Sequence, residues 1–323
     1  MGQDQPVWHF IVNPAAGRGR GLGRWRRWEP ALRRALPDLR VHYSTAAEGV
    51  ASLAERIVRA GATHLVGVGG DGTHHGVLGG IVAAGGLGAV TYAPLACGTG
   101  NDWVRTLGTP RALGPWLATL LAGRTIAHGV GVLSRTAPPA APAPAAAPRV
   151  TYFLNVAGLA YDAEVVRRSE TARLKRRWLY PLLTLAYLRG FVPPTVRVDY
   201  DGGSITGPVH TVNVGIGRYN GGGMRLVPHA DPTAPTLALT VARRLPLWRI
   251  LAQSWRFYTP TIGRVAGVTT TTTRRVTVTT LAGANAAEAD GEWLGPGTVT
   301  ITLAPQRLRV IVPHWPTPAQ GGR

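Results

Sequence analysis

The sequence predicts a two-domain chain, a parallel α/β domain followed by a mainly antiparallel β-rich domain. Three observations predict it. The 323 residues exceed one ordinary domain, at roughly 100–200 residues each. The first third alternates short apolar runs with helically spaced apolar positions, and short loops between them favour a parallel sheet covered on both faces. Beyond residue 129 strand signals dominate, after a low-complexity tract (SRTAPPAAPAPAAAPR, 134–149) that suits an extended loop. The expected domains are therefore 1–128 and 129–305.

The first element is a strand at 7–12, ended by Asn13 and Pro14. A Gly/Arg segment leads into a helix carrying Leu22, Trp25, Leu32 and Leu36, in which Pro30 is expected to kink or restart the helix. Thr45 to Glu48 fits a capping box for the next helix. Its Val50, Leu53, Ala54, Ile57 and Val58 share one face, and Gly61 supplies a stop. A buried strand at 65–68 runs into Gly69-Gly70-Asp71-Gly72-Thr73. Val77, Leu78, Ile81 and Val82 then suit a short helix, and 89–93 the next strand. The second domain shows strands at 151–156, 195–200, 209–214, 237–242, 276–280 and 298–303, with a last one at 308–312. Asp201-Gly202-Gly203 marks a hairpin turn. Helical patches cover about 162–189 and 247–258, and no internal repeat is present.

Composition narrows the partners. The chain carries 35 Lys+Arg against 16 Asp+Glu, a formal charge of +19, which favours anionic partners; a bias toward arginine explains the excess equally well. The lone Cys97 excludes an internal disulfide and fits a reducing, cytoplasmic compartment. Residues 1–12 lack the pattern of a secretory signal. No Asp, Glu, Lys or Arg lies between Asp71 and Asp102, a length that would span a bilayer. Its glycine clusters punctuate it into helix, turn and strand, so it reads as buried α/β core, and membrane contact is expected only peripherally, at the inner face.

Three loops fall at the ends of predicted strands. In Gly69-Gly70-Asp71-Gly72-Thr73, glycines let the backbone approach phosphate oxygens, and successive N–H groups form an anion-binding concavity. A carboxylate beside phosphates holds Mg²⁺ or accepts a proton, which gives Asp71 a role; a plain tight turn with a solvated Asp is the alternative. Gly98-Thr99-Gly100-Asn101-Asp102 sits likewise after a strand and before a helix, which Asn101 or Asp102 would cap. Asn13 to Gly17 is the third. Loops at the carboxyl ends of parallel strands are where open α/β sheets bind ligands. No GxxxxGK[ST] loop or dinucleotide fingerprint is present. His9, His42, His64, His128 and His210 are scattered and lack metal-ligand spacing.

Five segments occur in order: NPAAGRGRG at 13–21, VGVGGDGT at 66–73, GTGNDWVRTLG at 98–108, NGGGMRLVPHA at 220–230 and DGEWL at 290–294. Together they resemble the diacylglycerol kinase catalytic-domain family, which includes sphingosine, ceramide and bacterial lipid kinases. The resemblance implies an N-terminal nucleotide-binding α/β domain and a C-terminal β-sandwich domain, with 306–316 returning to the first. It implies ATP and Mg²⁺ as cofactors and a membrane lipid as substrate. Carried onto this chain, Asn13, Thr45, Gly69, Gly70, Asp71, Gly72, Thr73, Gly98, Thr99 and Asn101 would bind ATP, with Asp71 beside the phosphates and the metal. Asp290 and Glu292 would serve the lipid hydroxyl, one of them as proton acceptor. In isolation Asp290-Gly291-Glu292 also reads as a hairpin turn. The alternatives are a catalytically weak nucleotide- or lipid-binding protein and an NAD kinase, which shares GGDGT but not GTGND or DGE.

The chain departs from the family twice. Asn-Glu usually stands where His75 and Gly76 do, which removes a polar contact near the nucleotide. The Asp-rich loop of a structural Mg²⁺ keeps Asp231 but has Ala234 and Ala238 where aspartates are expected, so that ion is expected to be weak or absent. Arg167, Arg168, Arg173, Lys175, Arg176 and Arg177 cluster beside Trp178 and Tyr180, a pattern that suits docking on an anionic membrane surface or a solvated helix face. Nucleic acid is disfavoured, because no recognition motif accompanies the charge. Trp248, Trp255 and Phe257 show helical spacing and are expected in the core or a cleft wall.

Overall fold

The computed structural model describes residues 6–17, 19–137, 147–171 and 187–315. The chain divides into two compact units: residues 1–128 with 306–323, and residues 129–305.

The first unit is an α/β layer structure. Its sheet contains β1 (His9–Val12), β2 (Arg40–Tyr43), β3 (His64–Gly69), β4 (Thr91–Ala96), β5 (Thr125–His128) and a return strand, Leu308–Ile311, in the order β2-β1-β3-β4-return-β5. All neighbours are parallel except β5 against the return strand. Helices α1 (Arg20–Ala35) and α5 (Leu113–Ala122), the latter following the short α4 (Asp102–Thr106), bury Trp25, Leu32, Trp116 and Leu120 against Phe10, Val12, Val66 and Val68 on one face. Helices α2 (Val50–Arg59) and α3 (Asp71–Ala83) cover the other, and β3 and β4 are accordingly apolar along almost their whole length.

Three local expectations change. Helix α1 runs without interruption through Pro30. Thr45 does not cap α2: the helix starts at Val50 after Gly49, while the Thr45 hydroxyl accepts the Glu48 N–H at 2.9 Å in a turn of its own. Glu48 instead pairs with Arg56 at 2.7 Å. Strand β4 continues through Pro94, because pairing with the return strand ends at Tyr92 and the Pro94 carbonyl takes the Trp116 indole N–H at 2.8 Å.

Gly76 acquires a structural reason. A Cβ on Gly80 would stand 2.3 Å from the Ala51 carbonyl oxygen, and one on Gly76 would stand 3.1 Å from the Val50 side chain. Helices α2 and α3 approach closely here, and a side chain at 76 would need the Val50 side chain to give by a few tenths of an ångström.

The second unit is antiparallel β. One sheet holds β6 (Gly131–Thr136), β7 (Arg149–Phe153), β9 (Thr195–Tyr200), β13 (Arg275–Ala282), β16 (Thr298–Leu303) and the first half of β10 (Gly203–Gly215). The other holds β8 (Val156–Ala160), β11 (Leu237–Arg243), β12 (Val268–Thr273), β14 (Ala286–Ala289), β15 (Glu292–Pro296) and the second half of β10. Strand β10 changes partners at Gly207 (φ 140°) and Pro208, passing from β9 to β8 and β11. Such a corner strand is how two sheets share one core. Leu133, Phe153, Val198, Val212, Leu239 and Val278 lie in that core. Helix α6 (Tyr161–Thr171) packs on β8 and β14.

The single strand expected at 151–156 is two, broken at Leu154 and Asn155. Trp248 and Trp255 are exposed, not core, whereas Phe257 packs against the buried cluster around Val227. Of the expected basic cluster, Arg167 and Arg168 both pair with Glu164; Arg173, Lys175, Arg176, Arg177, Trp178 and Tyr180 lie outside the described residues, as does most of the Pro/Ala tract. No described helix is long and apolar enough to cross a membrane.

Candidate functional site

In the first unit the three loops meet at the carboxyl ends of β1, β3 and β4. Gly70 precedes α3 as its N-cap and offers no side-chain cap, so the first N–H groups of a 13-residue helix face outward with their positive dipole end. Asp71 opens that helix. Its Oδ2 accepts the backbone N–H of Asn101 at 2.7 Å, which ties the Gly69–Thr73 loop to the Gly98–Asp102 loop. Asn101 adopts a left-handed φ of 55°, and its Nδ2 donates to the Gly98 carbonyl at 2.9 Å, folding that loop on itself. Asn13 binds the same assembly: its Nδ2 donates to Thr73 Oγ1 at 3.0 Å, and its Oδ1 takes the Ala15 N–H at 3.0 Å. Gly72 and Thr99 are exposed at the rim, and Thr45 lies exposed after β2.

The loops touch backbone to backbone. A Cβ on Gly98 would come within 2.4 Å of Gly70 Cα, and one on Gly69 within 2.1 Å of Thr73 Oγ1. Gly98→Ala is therefore expected to wedge the two loops apart. Isothermal titration with ATP should show affinity lowered by about 10-fold or more, a displacement cost of about 1.4 kcal/mol, and unchanged affinity would refute the contact's role.

A buried aromatic floor supports these loops. His74 Nδ1 and the Tyr92 hydroxyl are 2.6 Å apart, the Trp103 ring stacks on Tyr92, and Trp103 Nε1 donates to His128 Nε2 at 3.0 Å. His128 thus serves as an acceptor inside the unit.

The second unit presents the Asp290–Glu292 turn. Asp290 (φ 52°) and Gly291 (φ 86°) form a tight two-residue hairpin between β14 and β15. The Asp290 carboxylate is committed to backbone: Oδ2 accepts Leu154 N–H at 2.8 Å, and Oδ1 accepts Asn155 N–H at 2.9 Å and Val156 N–H at 3.3 Å. Those bonds break the strand at Leu154 and Asn155. Glu292, two residues on, is exposed.

Sequence reasoning missed two carboxyls beneath this turn. Glu288 is fully buried; its Oε2 takes the Gly291 N–H at 2.8 Å, while Oε1 is buried without a hydrogen-bond partner. Asp162, on α6, turns a buried, unpartnered Oδ2 toward the same place. A Cβ on Gly158 would meet Glu288 Oε1 at 2.6 Å and Asp162 Oδ2 at 3.1 Å, so both oxygens crowd over one glycine. Only the register of β14 on β8 reveals this: Glu288 pairs with Gly158. Burial pushes the Asp162 carboxyl up to about 6, and burial followed by the nearby Asp162 charge pushes Glu288 upward as well. One proton held between the two groups would relieve the burial of both and the repulsion between them.

The linkage sign follows. The folded chain keeps protons that the unfolded chain sheds from about pH 4 upward, so stability falls as pH rises toward about 6, where Asp162 titrates. Glu288→Gln keeps an acceptor for Gly291 and gives Asp162 a donor. It is expected to raise the melting temperature at pH 8 by about 2–4 °C, a gain of ~1 kcal/mol in a domain of this size, and to flatten the pH dependence. A lower melting temperature at pH 8 would rule out the shared proton.

Asp231 takes the Thr233 N–H and hydroxyl on its Oδ1, both at 2.8 Å. No group of three or more His, Cys, Asp or Glu among the described residues forms a metal cluster.

Residues 7–133 match the family described as Diacylglycerol kinase catalytic domain, and residues 155–312 match the YegS C-terminal NAD kinase beta sandwich-like domain. A Bacillus subtilis protein named "Putative lipid kinase YtlR" is 24% identical over 94% of this chain and 98% of its own. A diacylglycerol kinase structure from Bacillus anthracis superposes with a TM-score of 0.70 at 19% identity, covering 98% of this chain and 99% of that one. A yeast NADH kinase complexed with NADH gives 0.55 at 11% identity over 96% and 84%. These structural likenesses speak for the fold.

Proposed function

We propose, on the premise that the chain belongs to the diacylglycerol kinase catalytic-domain family, that it transfers the γ-phosphate of ATP to a hydroxyl of a membrane lipid such as diacylglycerol. The observation that carries this reading is the Asp71 carboxylate joining two glycine loops at an uncapped helix N-terminus.

The donor set fits a triphosphate and its metal. Backbone N–H groups at Gly70 to Gly72 would supply neutral donors for phosphate oxygens, the Thr73 N–H being taken by the Gly70 carbonyl at 2.9 Å, and Asp71 would supply the carboxylate for Mg²⁺, which would neutralise charge on the transferring group. Asn13 and Thr73 brace the loop through their mutual hydrogen bond, and Asn101 holds the neighbouring one. Glu292 takes the proton of the acceptor hydroxyl as its oxygen bonds to the γ-phosphorus and the bond to the β-phosphate oxygen breaks. Asp290 acts by shaping the turn, since its oxygens already hold three N–H groups.

Incubation with γ-labelled ATP, Mg²⁺ and vesicles containing diacylglycerol, sphingoid base, ceramide or phosphatidylglycerol should yield a labelled lipid. ATP binding without labelled lipid would favour a catalytically weak binding protein. Labelled NAD in a lipid-free arm, with no lipid product, would replace the reading with an NAD kinase.

A further inference from the structure

In the second unit a short helix, Leu247–Ala252, is followed by a 3₁₀ segment, Ser254–Tyr258. Neither contains a fully buried residue. Trp248, Leu251, Trp255 and Tyr258 follow one another at steps of three and four, which is helical spacing along one stripe. A surface helix ordinarily turns such a stripe inward. Here it faces out: Trp248 is 65% exposed, Leu251 42%, Trp255 54% and Tyr258 55%. Phe257 fastens the segment from its other side, packing on the Val227 cluster while its carbonyl takes the Arg225 N–H at 2.5 Å. The outward stripe is therefore held on an anchored element.

Charge specifies what the stripe meets. Between Asp231 and Glu288 there is no Asp or Glu, but there are seven arginines: 243, 244, 249, 256, 264, 274 and 275. The Arg249 guanidinium lies 5.3 Å from the Trp248 ring centroid, and that of Arg256 lies 4.4 Å from the Trp255 ring. Cations are thus stacked on the two exposed indoles. We infer that this stripe is a docking surface for an anionic lipid bilayer. Indole and phenol rings settle at the headgroup level, Leu251 reaches the acyl boundary, and the arginines meet lipid phosphates. A second copy of this chain would oppose arginines to arginines. Nucleic acid would use the rings but leave the aliphatic Leu251 unmatched. The inference stands apart from phosphoryl transfer, since binding needs neither ATP nor turnover.

The test is co-sedimentation with vesicles of phosphatidylcholine alone or mixed with phosphatidylglycerol, at low and high salt. The full chain should partition onto the anionic vesicles and lose most of that binding at high salt. W248A/W255A should lower partitioning by about 10-fold or more. R249E/R256E should remove the preference for phosphatidylglycerol. Brominated lipid should quench part of the tryptophan emission, and that part should vanish in W248F/W255F, which keeps aromatic rings at both positions. Undiminished vesicle binding by W248A/W255A with a native melting curve would overturn the inference. So would unchanged quenching in W248F/W255F, self-association abolished by W248A/W255A, or tighter binding to single-stranded DNA than to the vesicles.

Discussion

Replacing Asp71 by asparagine is expected to lower phosphoryl transfer by about 10²–10³-fold while leaving the first unit folded. The asparagine oxygen still accepts the Asn101 N–H, now held at 2.7 Å by the carboxylate, so the tie between the loops survives. What disappears is the negative charge. A transferring phosphoryl group depends on positioning and charge neutralisation, and under the proposed function the wild-type carboxylate would hold the metal. Asp71→Ala removes the tie as well, and should weaken ATP binding in addition to lowering kcat. The measurement is kcat and ATP affinity for both variants beside their melting curves. An Asp71→Asn enzyme with near-normal kcat would remove Asp71 from the chemistry.

The second large effect belongs to Glu292. Glu292→Gln is expected to cost about 10²–10⁴-fold in kcat, the usual contribution of a positioned general base, with an unchanged melting temperature because the side chain is exposed. Asp290→Ala should behave in the opposite way. It strands the N–H groups of Leu154, Asn155 and Val156, at about 1–3 kcal/mol for each buried donor left without a partner, so its signature is a stability loss on the order of 3 kcal/mol or more. Comparing kcat with unfolding free energy for the two neighbours separates chemistry from scaffolding. If Glu292→Gln destabilised the protein and spared kcat, the assignment of the base would fail.

Much of the fold was legible because it is written locally. The run from Leu65 to Thr73 announces a buried strand, a glycine loop and a helix start, and the structure places them so. The Asp201-Gly202 turn joins two strands as its residue types require. What escaped is what depends on distant partners. The break at Leu154 and Asn155 is made by a carboxylate from residue 290. Strands β12, β14 and β15 went unnoticed because runs such as AAEA and TTTTT carry little apolar alternation; pairing with neighbours, not periodicity, makes them strands. Thr45 and Glu48 matched a cap pattern, but Glu48 found a stronger partner in Arg56. The Asp162–Glu288 pair could not be read at all without the register that sets both over Gly158.

The role of Gly76 also changes. Against the family pattern it reads as a lost polar contact. In the structure it belongs with Gly80 to a close crossing of α2 and α3, where a Cβ at 76 would press on the Val50 side chain at 3.1 Å. Restoring a glutamate there would require the Val50 side chain to shift by a few tenths of an ångström.

The return strand Leu308–Ile311 lies between β4 and β5, inside the first sheet. A ribosome therefore delivers residues 1–128 with a slot open in their sheet, then makes the whole of 129–305, and only afterwards the strand that fills the slot. The β-rich unit can mature first, as a self-contained insertion, while the glycine loops after β3 and β4 wait on an incomplete sheet. The order of synthesis thus runs opposite to the order of completion, and during translation the nascent β4 edge is the exposed surface that a chaperone or an aggregating neighbour would find.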